Sequence, residues 1–490
     1  MTTLQERIGS RSRQRMLLGG EWTDAGSGAT METRNPATGE LLATVPAADQ
    51  RDVERAVRAA LSAQPEWRRR GPRERARLLE QVAARLEAEG ERLAWLDAAD
   101  SGNPLQGMRK DVRAAVEYVR YMCGIALELK GETIPVAPNV LDYTLRQPFG
   151  VVARINPFNH PLMFAAQKIA APLIAGNAVI LKPSSLAPLA PLEFAQAIDG
   201  ILPAGVLNVV TGTGEACGRP LVRHPEVKRI AFTGSVETGQ QLARDAADAG
   251  VKVLSLELGG KNPIIVLPDA DVARAAQAAA TGMNLDWTLG QSCGSTSRAF
   301  VHASLYDAFV EAVRRRFESL RMGLPTEDTT QLGCLVSEAQ LAKVERYVAL
   351  GKAEGAELVT GGSRPTDERL ARGFFYQPTL FAKVDHSMRI AREEIFGPVL
   401  SVLSWRDEAD MLANVHDVAY GLSANIWTND IRAAHRLADE VQAGYVWING
   451  DGRHFTGAPF GGFKASGIGS EESLDELLSY TQKKNVSVFL

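Results

Sequence analysis

The sequence predicts an α/β protein built from two doubly wound α/β domains and a small β arm. Short apolar strands alternate with helices from residue 150 onward, and a second series of the same kind runs from Asn262 to Ile448. A further apolar segment alternates along Val486–Leu490. The 490 residues also exceed the length at which a single core keeps growing, so two or three domains are expected.

The early part of the chain is predicted to be helical. Val53, Val57 and Leu61 recur at helical spacing, and a second helix opens at Gly71-Pro72, where proline suits the first turn. The basic run at 68–70 leads into that helix and indicates a solvated helix face rather than a binding patch. Residues 141–146 then alternate like an exposed strand.

The first strand-helix series predicts a parallel sheet, with ligands at the carboxyl ends of its strands. We expect its strands at Gly150–Ile155, Ala178–Leu181, Val206–Val210, Arg229–Phe232 and Val251–Leu256. The helices between them are expected at Leu162–Ile174, Pro191–Ile198, Gly214–Arg223 and Thr238–Ala249.

The second series predicts another α/β domain, with strands at Pro263–Leu267, Ala299–Val301, Val399–Leu403, Ala424–Trp427 and Tyr445–Ile448. The apolar strand at Val486–Leu490 is a candidate for pairing with another subunit.

Composition excludes several classes of protein. With 45% hydrophobic and 23% charged residues the chain is that of an ordinary soluble globular protein, and its net charge of −4 leaves no footprint for nucleic acid or an anionic membrane. The longest apolar stretch, Ile169–Leu181, is interrupted and too short to span a bilayer. The N-terminus lacks the apolar core of a secretory signal, and Glu6 argues against a transit segment.

The four cysteines lie far apart and form no CxxC pair, so neither a metal site nor a disulfide framework is expected, and a cytoplasmic protein fits best. Cys293 stands out because Gly and Ser flank it in the segment 289–298. Small neighbours let a ligand reach the sulfur and leave backbone N–H groups free to polarise it. The alternative interpretation is a buried, inert cysteine.

Two predicted strand ends carry polar groups followed by proline. In the segment 155–161, Asn159 either donates a hydrogen bond to an oxyanion or caps the next helix. In the segment 181–185, Lys182 and the hydroxyl groups after it suit ribose or phosphate contacts, or else form a solvated loop.

Other segments also suit ligand binding. At 231–239 a strand, a glycine turn and a helix start form a phosphate-binding arrangement that includes Ser235. The loop 212–218 comes nearer to G-x-G-x-x-G, but its Glu215 would oppose a phosphate. Glu257 ends an apolar strand, where burial would raise its pKa toward the range of a general base, unless it lies on the solvated side.

Two further segments complete the pattern: Glu-Glu-Ile-Phe-Gly-Pro at 393–398, just before a strand, and the glycine-rich loop at 459–469. Together with P-F-N-H-P, K-P-S-S, F-T-G-S, E-L-G-G-K and G-Q-S-C, they make the chain resemble the NAD(P)-dependent aldehyde dehydrogenase superfamily. The resemblance covers essentially the whole chain.

The resemblance implies that Cys293 is the nucleophile, that Asn159 and the backbone N–H of Cys293 form an oxyanion hole, and that Glu257 activates water to hydrolyse a thioester. Lys168 and Glu471 match a proton relay of relatives, although a surface lysine and a helix-start acid are the plainer alternatives. The presence of Glu257 favours release of a free acid, because relatives that transfer the acyl group to coenzyme A typically lack this carboxylate.

The resemblance also implies an NAD(P) site and a separate substrate pocket. Ser185 replaces a glutamate common in NAD-preferring relatives, so NADP is expected to be accepted, alongside NAD. The expected cofactor-binding residues are Ile155, Phe158, Lys182, Ser185, Thr233, Gly234, Ser235, Glu394 and Phe396. The expected substrate-binding residues are His160, Phe164, Gln167, Trp287, His454 and Phe460, with Arg453 as a second candidate for a polar end of the substrate.

The pocket favours an aromatic or medium-sized aldehyde with a polar substituent, and Gln167 and Trp287 stand where succinic semialdehyde relatives carry arginines. No metal is expected. The implied architecture is a Rossmann-like cofactor domain (1–130 and 151–258), a catalytic domain (259–450), an oligomerisation arm (131–150 and 475–490) and a returning active-site loop (451–474). A homodimer or homotetramer is expected. The alternatives are a coenzyme-A-acylating semialdehyde dehydrogenase, a reductase without a covalent step, and a catalytically silent structural relative.

Overall fold

A computed structural model describes residues 12–490, so the arginines and Glu6 of the extreme N-terminus lie outside the described residues. The strands in chain order are β1 (Met16–Leu18), β2 (Glu21–Thr23), β3 (Thr30–Arg34), β4 (Leu41–Pro46), β5 (Thr133–Ala137), β6 (Val140–Pro148), β7 (Val151–Ile155), β8 (Ala178–Lys182), β9 (Leu207–Val209), β10 (Val227–Thr233), β11 (Val253–Glu257), β12 (Pro263–Val266), β13 (Arg298–His302), β14 (Glu357–Thr360), β15 (Thr379–Ala382), β16 (Val399–Trp405), β17 (Tyr420–Gly421), β18 (Ser423–Trp427), β19 (Tyr445–Ile448), β20 (Phe463–Lys464), β21 (Gly467–Ile468) and β22 (Thr481–Phe489).

The α-helices span Gln50–Arg69, Gly71–Ala88, Gly90–Ser101, Leu105–Gly124, Pro161–Ile174, Leu189–Ala197, Arg219–Arg223, Val236–Asp248, Val272–Gly282, Leu285–Thr288, Tyr306–Glu318, Glu338–Ala353, Arg389–Arg392, Glu408–His416, Ile431–Glu440 and Leu474–Ser479. Among residues 12–490 no helix is both long and apolar enough to cross a membrane.

The first sheet has the strand order β2-β1-β9-β8-β7-β10-β11-β21, and its five central strands, β9 to β11, run parallel. Most residues of these strands are apolar and buried, as expected where helices cover both faces of a sheet. The prediction of a parallel α/β sheet is confirmed. The two helices predicted in the early part of the chain are also confirmed, as Gln50–Arg69 and Gly71–Ala88. The strands before residue 50 were not predicted, and two of them extend this sheet.

The second sheet has the order β14-β15-β16-β13-β12-β18-β19 and is parallel except at β14. Its own core includes Phe300, Phe309 and Phe381. The strand β21 returns to the first sheet, where it pairs antiparallel with β11 and sets Gly467 opposite Glu257. The predicted helix at 214–223 is instead a π-helical turn at Gly214–Gly218 followed by a short α-helix.

A third sheet has the order β22-β6-β5. The C-terminal strand β22 pairs along its whole length with β6 of the same chain, a partner that its apolar alternation did not reveal. Apolar side chains remain exposed on this sheet, among them Val136, Leu145 and Phe489. The sheet leaves β22 and β5 as its two edges.

Candidate active site

The Cys293 loop lies between the helix Leu285–Thr288 and β13, and Asn262 holds it in place. The side-chain amide of Asn262 donates to the backbone oxygens of Cys293, at 2.7 Å, and of Ser295, at 2.9 Å. Gly290 has a φ of +74°, and a Cβ there would lie 2.5 Å from the backbone oxygen of Gly397. The segments around Cys293 and Glu394 are therefore linked by close backbone packing that larger residues would prevent.

The Cys293 thiol is half-buried and lines a cavity of about 250 Å³. Burial raises the pKa of this thiol to about 12, with further increases from the nearby Glu257 and Glu394 carboxyls. The backbone N–H groups of Gly294 and Cys293 act in the opposite direction. The sulfur is reachable, as its neighbours predicted, but the thiol is protonated at neutral pH in the free protein.

Glu257 ends β11 and is 4% exposed, so the alternative of a solvated glutamate is wrong. Within the described part of the chain, neither of its carboxylate oxygens has a hydrogen-bond partner. Burial raises its pKa well above the ordinary value, the charge of Glu471 adds to this, and Lys168 opposes it. An unpaired buried carboxyl is costly, and such groups concentrate at functional sites.

Asn159 follows β7, and its side chain makes no cap on the helix Pro161–Ile174, so the capping alternative is wrong. In the first turn of this helix, the backbone N–H of Leu162 instead donates a hydrogen bond to the carboxylate of Asp97. The backbone oxygen of Asn159 accepts from Asn103 at 2.8 Å, whereas its side-chain oxygen is buried and has no partner in residues 12–490. The amide is fixed by its backbone and faces the cavity of Cys293.

Lys168 and Glu471 form an ion pair, and both are buried, which rules out the surface-lysine alternative. The next helix begins at Leu474 with Ser473 as its cap, so Glu471 is not its first acid. Arg154 binds the same carboxylate at 3.0 and 3.1 Å and donates to the hydroxyl of Tyr480 at 2.6 Å. Burial acts to raise the pKa of Glu471, but Lys168 and Arg154 outweigh it and hold that pKa at about 2. Glu471 therefore stays ionised, and its charge acts on Glu257.

The cavity gathers the predicted catalytic and substrate-binding residues. Those that line it are Cys293, Glu257, Asn159, Lys168, Glu471, His160, Phe164, Gln167, Trp287, Arg453, His454 and Phe460, together with Thr233. His454 lies at the rim, half-exposed, with Glu472 at 3.2 Å, and Arg453 is exposed beside Asp451. The polar rim and the aromatic interior agree with a substrate that has an apolar body.

Asp111 was not predicted from the sequence, and it lies behind two residues that line the cavity, His160 and Trp287. Its carboxylate accepts from the indole N–H of Trp287 at 2.6 Å and contacts Nδ1 of His160 at 2.9 Å. The side chain of Asp111 is fully buried. A signal was available, since Asp111 interrupts the buried apolar face of Met108, Val112 and Ala115 on one helix.

Lys182 lies at the carboxyl end of β8, 4% exposed, so the solvated-loop alternative is wrong for it. Among residues 12–490 its ammonium group donates only to the backbone oxygen of Pro183, at 3.3 Å, and burial lowers its pKa. Ser185 is exposed. Ser235 caps the helix Val236–Asp248 and accepts from the backbone of Thr238 at 3.3 Å.

Glu394 lies close to Cys293, and one of its oxygens accepts from the backbone of Gly260 at 2.8 Å. A Cβ on Gly259 would fall 2.6 Å from the same carboxylate. The rings of Phe158 and Phe396 meet edge to face, with centroids 5.8 Å apart. Of the predicted cofactor residues, only Thr233 also lines the cavity; the others, including Ile155 and Gly234, lie outside its lining.

The chain is similar to known proteins over almost its whole length. The model of the aldehyde dehydrogenase family matches residues 22–486. An aldehyde dehydrogenase, tropH, of Talaromyces stipitatus is 42% identical over 97% of this chain and 93% of its own. An NAD+ complex of an aldehyde dehydrogenase from Bacillus cereus is 38% identical, with a TM-score of 0.95, over 99% of this chain and 98% of that one. A Staphylococcus aureus betaine aldehyde dehydrogenase with NAD+ is 34% identical, with a TM-score of 0.95, over 99% and 96%.

Proposed function

This chain belongs to the aldehyde dehydrogenase family, and we propose that it oxidises an aldehyde to the free carboxylic acid through a covalent adduct on Cys293. The observation that carries the proposal is the meeting of a reachable thiol, an unpaired buried carboxyl and a free amide on one cavity wall. A nucleophile, a base and an oxyanion donor are the groups that acyl transfer requires.

Attack by the sulfur of Cys293 on the aldehyde carbon gives a thiohemiacetal whose oxygen gains negative charge. The side-chain amide of Asn159 and the backbone N–H of Cys293 are the proposed donors to that oxygen. Neither group is consumed by another hydrogen bond among residues 12–490. A preorganised donor of this kind contributes about 3–4 kcal/mol to the stability of the transition state.

Glu257 is the proposed base for the hydrolytic step, in which water attacks the thioester. Burial raises its pKa and so increases its affinity for a proton, which suits a group that must accept one from water. The buried Lys168–Glu471 pair borders the same cavity and forms the proposed route by which protons leave. Because Arg154 also holds Glu471, the pair keeps its orientation.

NAD(P) is the proposed cofactor, and it supplies the positively charged ring that accepts a hydride. Lys182 fits it because a buried ammonium with a single long hydrogen bond has donors left for ribose or phosphate oxygens. Glu394 would hold the ribose next to the nicotinamide, and Ser235 and Gly234 would approach the pyrophosphate. Ser185 brings no negative charge to the adenosine end, so we propose that NADP is accepted alongside NAD.

The substrate we propose is an aromatic or medium-sized aldehyde, which fits the rings of Phe164, Trp287 and Phe460 in the cavity wall. We further propose a homodimer or homotetramer, supported by the apolar side chains that remain exposed on the β22-β6-β5 sheet. The four free cysteines support the proposal of a cytoplasmic protein.

The experiment that tests the proposal measures reduced cofactor, free acid and the mass of the enzyme during turnover. Wild type should release acid without coenzyme A, and Cys293→Ala should release none. Glu257→Gln should form reduced cofactor in a single burst and retain the acyl group on Cys293, seen as a mass increase that hydroxylamine removes. Acid release at an unchanged rate in Glu257→Gln would contradict the assigned base, and a product that requires coenzyme A would favour the acylating alternative.

A further inference from the structure

The aromatic wall of the cavity is locked by one buried carboxylate, Asp111. One of its oxygens accepts the indole N–H of Trp287 at 2.6 Å, and the other contacts Nδ1 of His160 at 2.9 Å. The ring of His160 meets Trp287 edge to face at 5.0 Å and Phe164 at 5.5 Å. Three rings of the cavity wall therefore have fixed orientations before any substrate arrives.

The carboxylate also determines which nitrogen of His160 carries the proton. An ionised carboxylate only accepts hydrogen bonds, so Nδ1 must donate to it. In the neutral imidazole the proton is then on Nδ1, and Nε2 presents a lone pair. Nε2 has no hydrogen-bond partner among residues 12–490, and His160 lines the cavity. Among the rings of His160, Trp287 and Phe164, Nε2 is thus the one acceptor, and Trp287 has already used its single donor.

Resting on the proposed oxidation, we propose that the substrate is a hydroxylated aromatic aldehyde whose hydroxyl group donates to Nε2 of His160. The ring of such a substrate packs against Trp287 and Phe164. A cavity of about 250 Å³ is slightly smaller than the roughly 300–1,000 Å³ usual for ligand pockets and suits a single ring. Asp111 acts as a positioning residue, since it touches His160 and Trp287 rather than the cavity.

The test compares kcat/KM for 3- and 4-hydroxybenzaldehyde with that for the matching fluorobenzaldehydes, which are similar in size and donate no hydrogen bond. The hydroxyl-to-fluoro ratio is measured in wild type and in His160→Phe, which keeps an aromatic ring and removes the acceptor. Dividing the two ratios cancels the intrinsic reactivity of the aldehydes and any general loss of activity in the variant. For at least one ring position we expect the quotient to be about 10, the value of one hydrogen bond.

Asp111→Asn gives a sharper result because an indole N–H can only donate. The oxygen of the new amide must face Trp287, so its NH₂ group faces Nδ1 of His160 and requires a lone pair there. The proton moves to Nε2, which becomes a donor. The variant should therefore prefer methoxybenzaldehydes to hydroxybenzaldehydes relative to wild type, a reversal that mere loosening of the wall does not produce.

The outcomes separate this inference from the proposed function. Oxidation of benzaldehydes with a quotient near 1 overturns the inference and leaves the oxidation intact, as does a wild-type preference for methoxy over hydroxyl groups. Discrimination seen only between 3-hydroxypropanal and propanal overturns the aromatic assignment. No reduced cofactor with any aldehyde refutes the oxidation and the inference together. If Asp111→Asn does not fold, the His160→Phe quotient decides alone.

Discussion

In the free enzyme, Cys293 should react slowly with alkylating reagents, although its sulfur can be reached from the cavity. At pH 8 a thiol with a pKa of about 12 is ionised to about one part in 10⁴. A free cysteine with a pKa of about 8.5 is ionised to roughly one quarter at the same pH. The ionised fractions of the two thiols therefore differ about 2,000-fold. Because the thiolate of a thiol with a higher pKa is more nucleophilic, their alkylation rates should differ by only about 40–100-fold.

The assay treats wild type with iodoacetamide between pH 6 and pH 10 and quantifies the Cys293 peptide by mass spectrometry. Glutathione in the same tube provides the free-thiol rate, and Cys293→Ala identifies signal from other cysteines. The rate at Cys293 should still be rising at pH 10. A plateau with a midpoint below pH 8 would refute the reasoning, since the thiolate would then exist without help from a bound cation. NADP+ should accelerate alkylation at pH 8 more than NADPH, whose ring is uncharged.

Three further changes test other parts of the structure. Ser185→Glu should lower kcat/KM with NADP at least about tenfold and leave kcat/KM with NAD unchanged, because a carboxylate repels the 2′-phosphate. Equal losses with the two cofactors would contradict the role proposed for Ser185. Arg154→Met leaves a buried carboxylate short of a partner and should cost about 3 kcal/mol in urea unfolding, whereas the exposed Arg453→Met should change the unfolding free energy by under about 0.5 kcal/mol. Gly290→Ala should abolish most activity, because its new Cβ clashes with the backbone oxygen of Gly397. Gly28→Ala is the control and should retain activity, since Gly28 has a similar φ but no neighbour within 4 Å of a Cβ.

The central strands of both sheets could be predicted because parallel strands buried on both faces are continuous apolar runs. The strands before residue 50 could not, since short pairs such as β1 and β2 owe their stability to docking on a sheet formed later in the chain. The residue type also did not indicate that Lys168 is buried. Its buried charge is paired with that of Glu471, which lies 303 positions later in the sequence. The partners of a buried charge are set by tertiary structure.

The same limit applies to Cys293. Its small neighbours predicted access, and the cavity agrees. The direction of its pKa, however, is set first by burial in the folded chain and then by the carboxyls of Glu257 and Glu394, which lie on other segments. Asp111 illustrates the opposite case. Its position on an apolar helix face is visible in the sequence, yet only the folded chain reveals that it contacts both His160 and Trp287.

The residues of the candidate site come from distant parts of the chain, and this determines when activity can appear during folding. Asn159, Cys293 and Glu471 come from the first sheet, the second sheet and the segment that returns through β21, and the Lys168–Glu471 pair spans 303 positions. Contacts of such long range close late, after local helices and strands have formed. Residues near 471 must therefore leave the ribosome before the Lys168–Glu471 pair can form. In refolding, the recovery of aldehyde oxidation should lag behind helix formation.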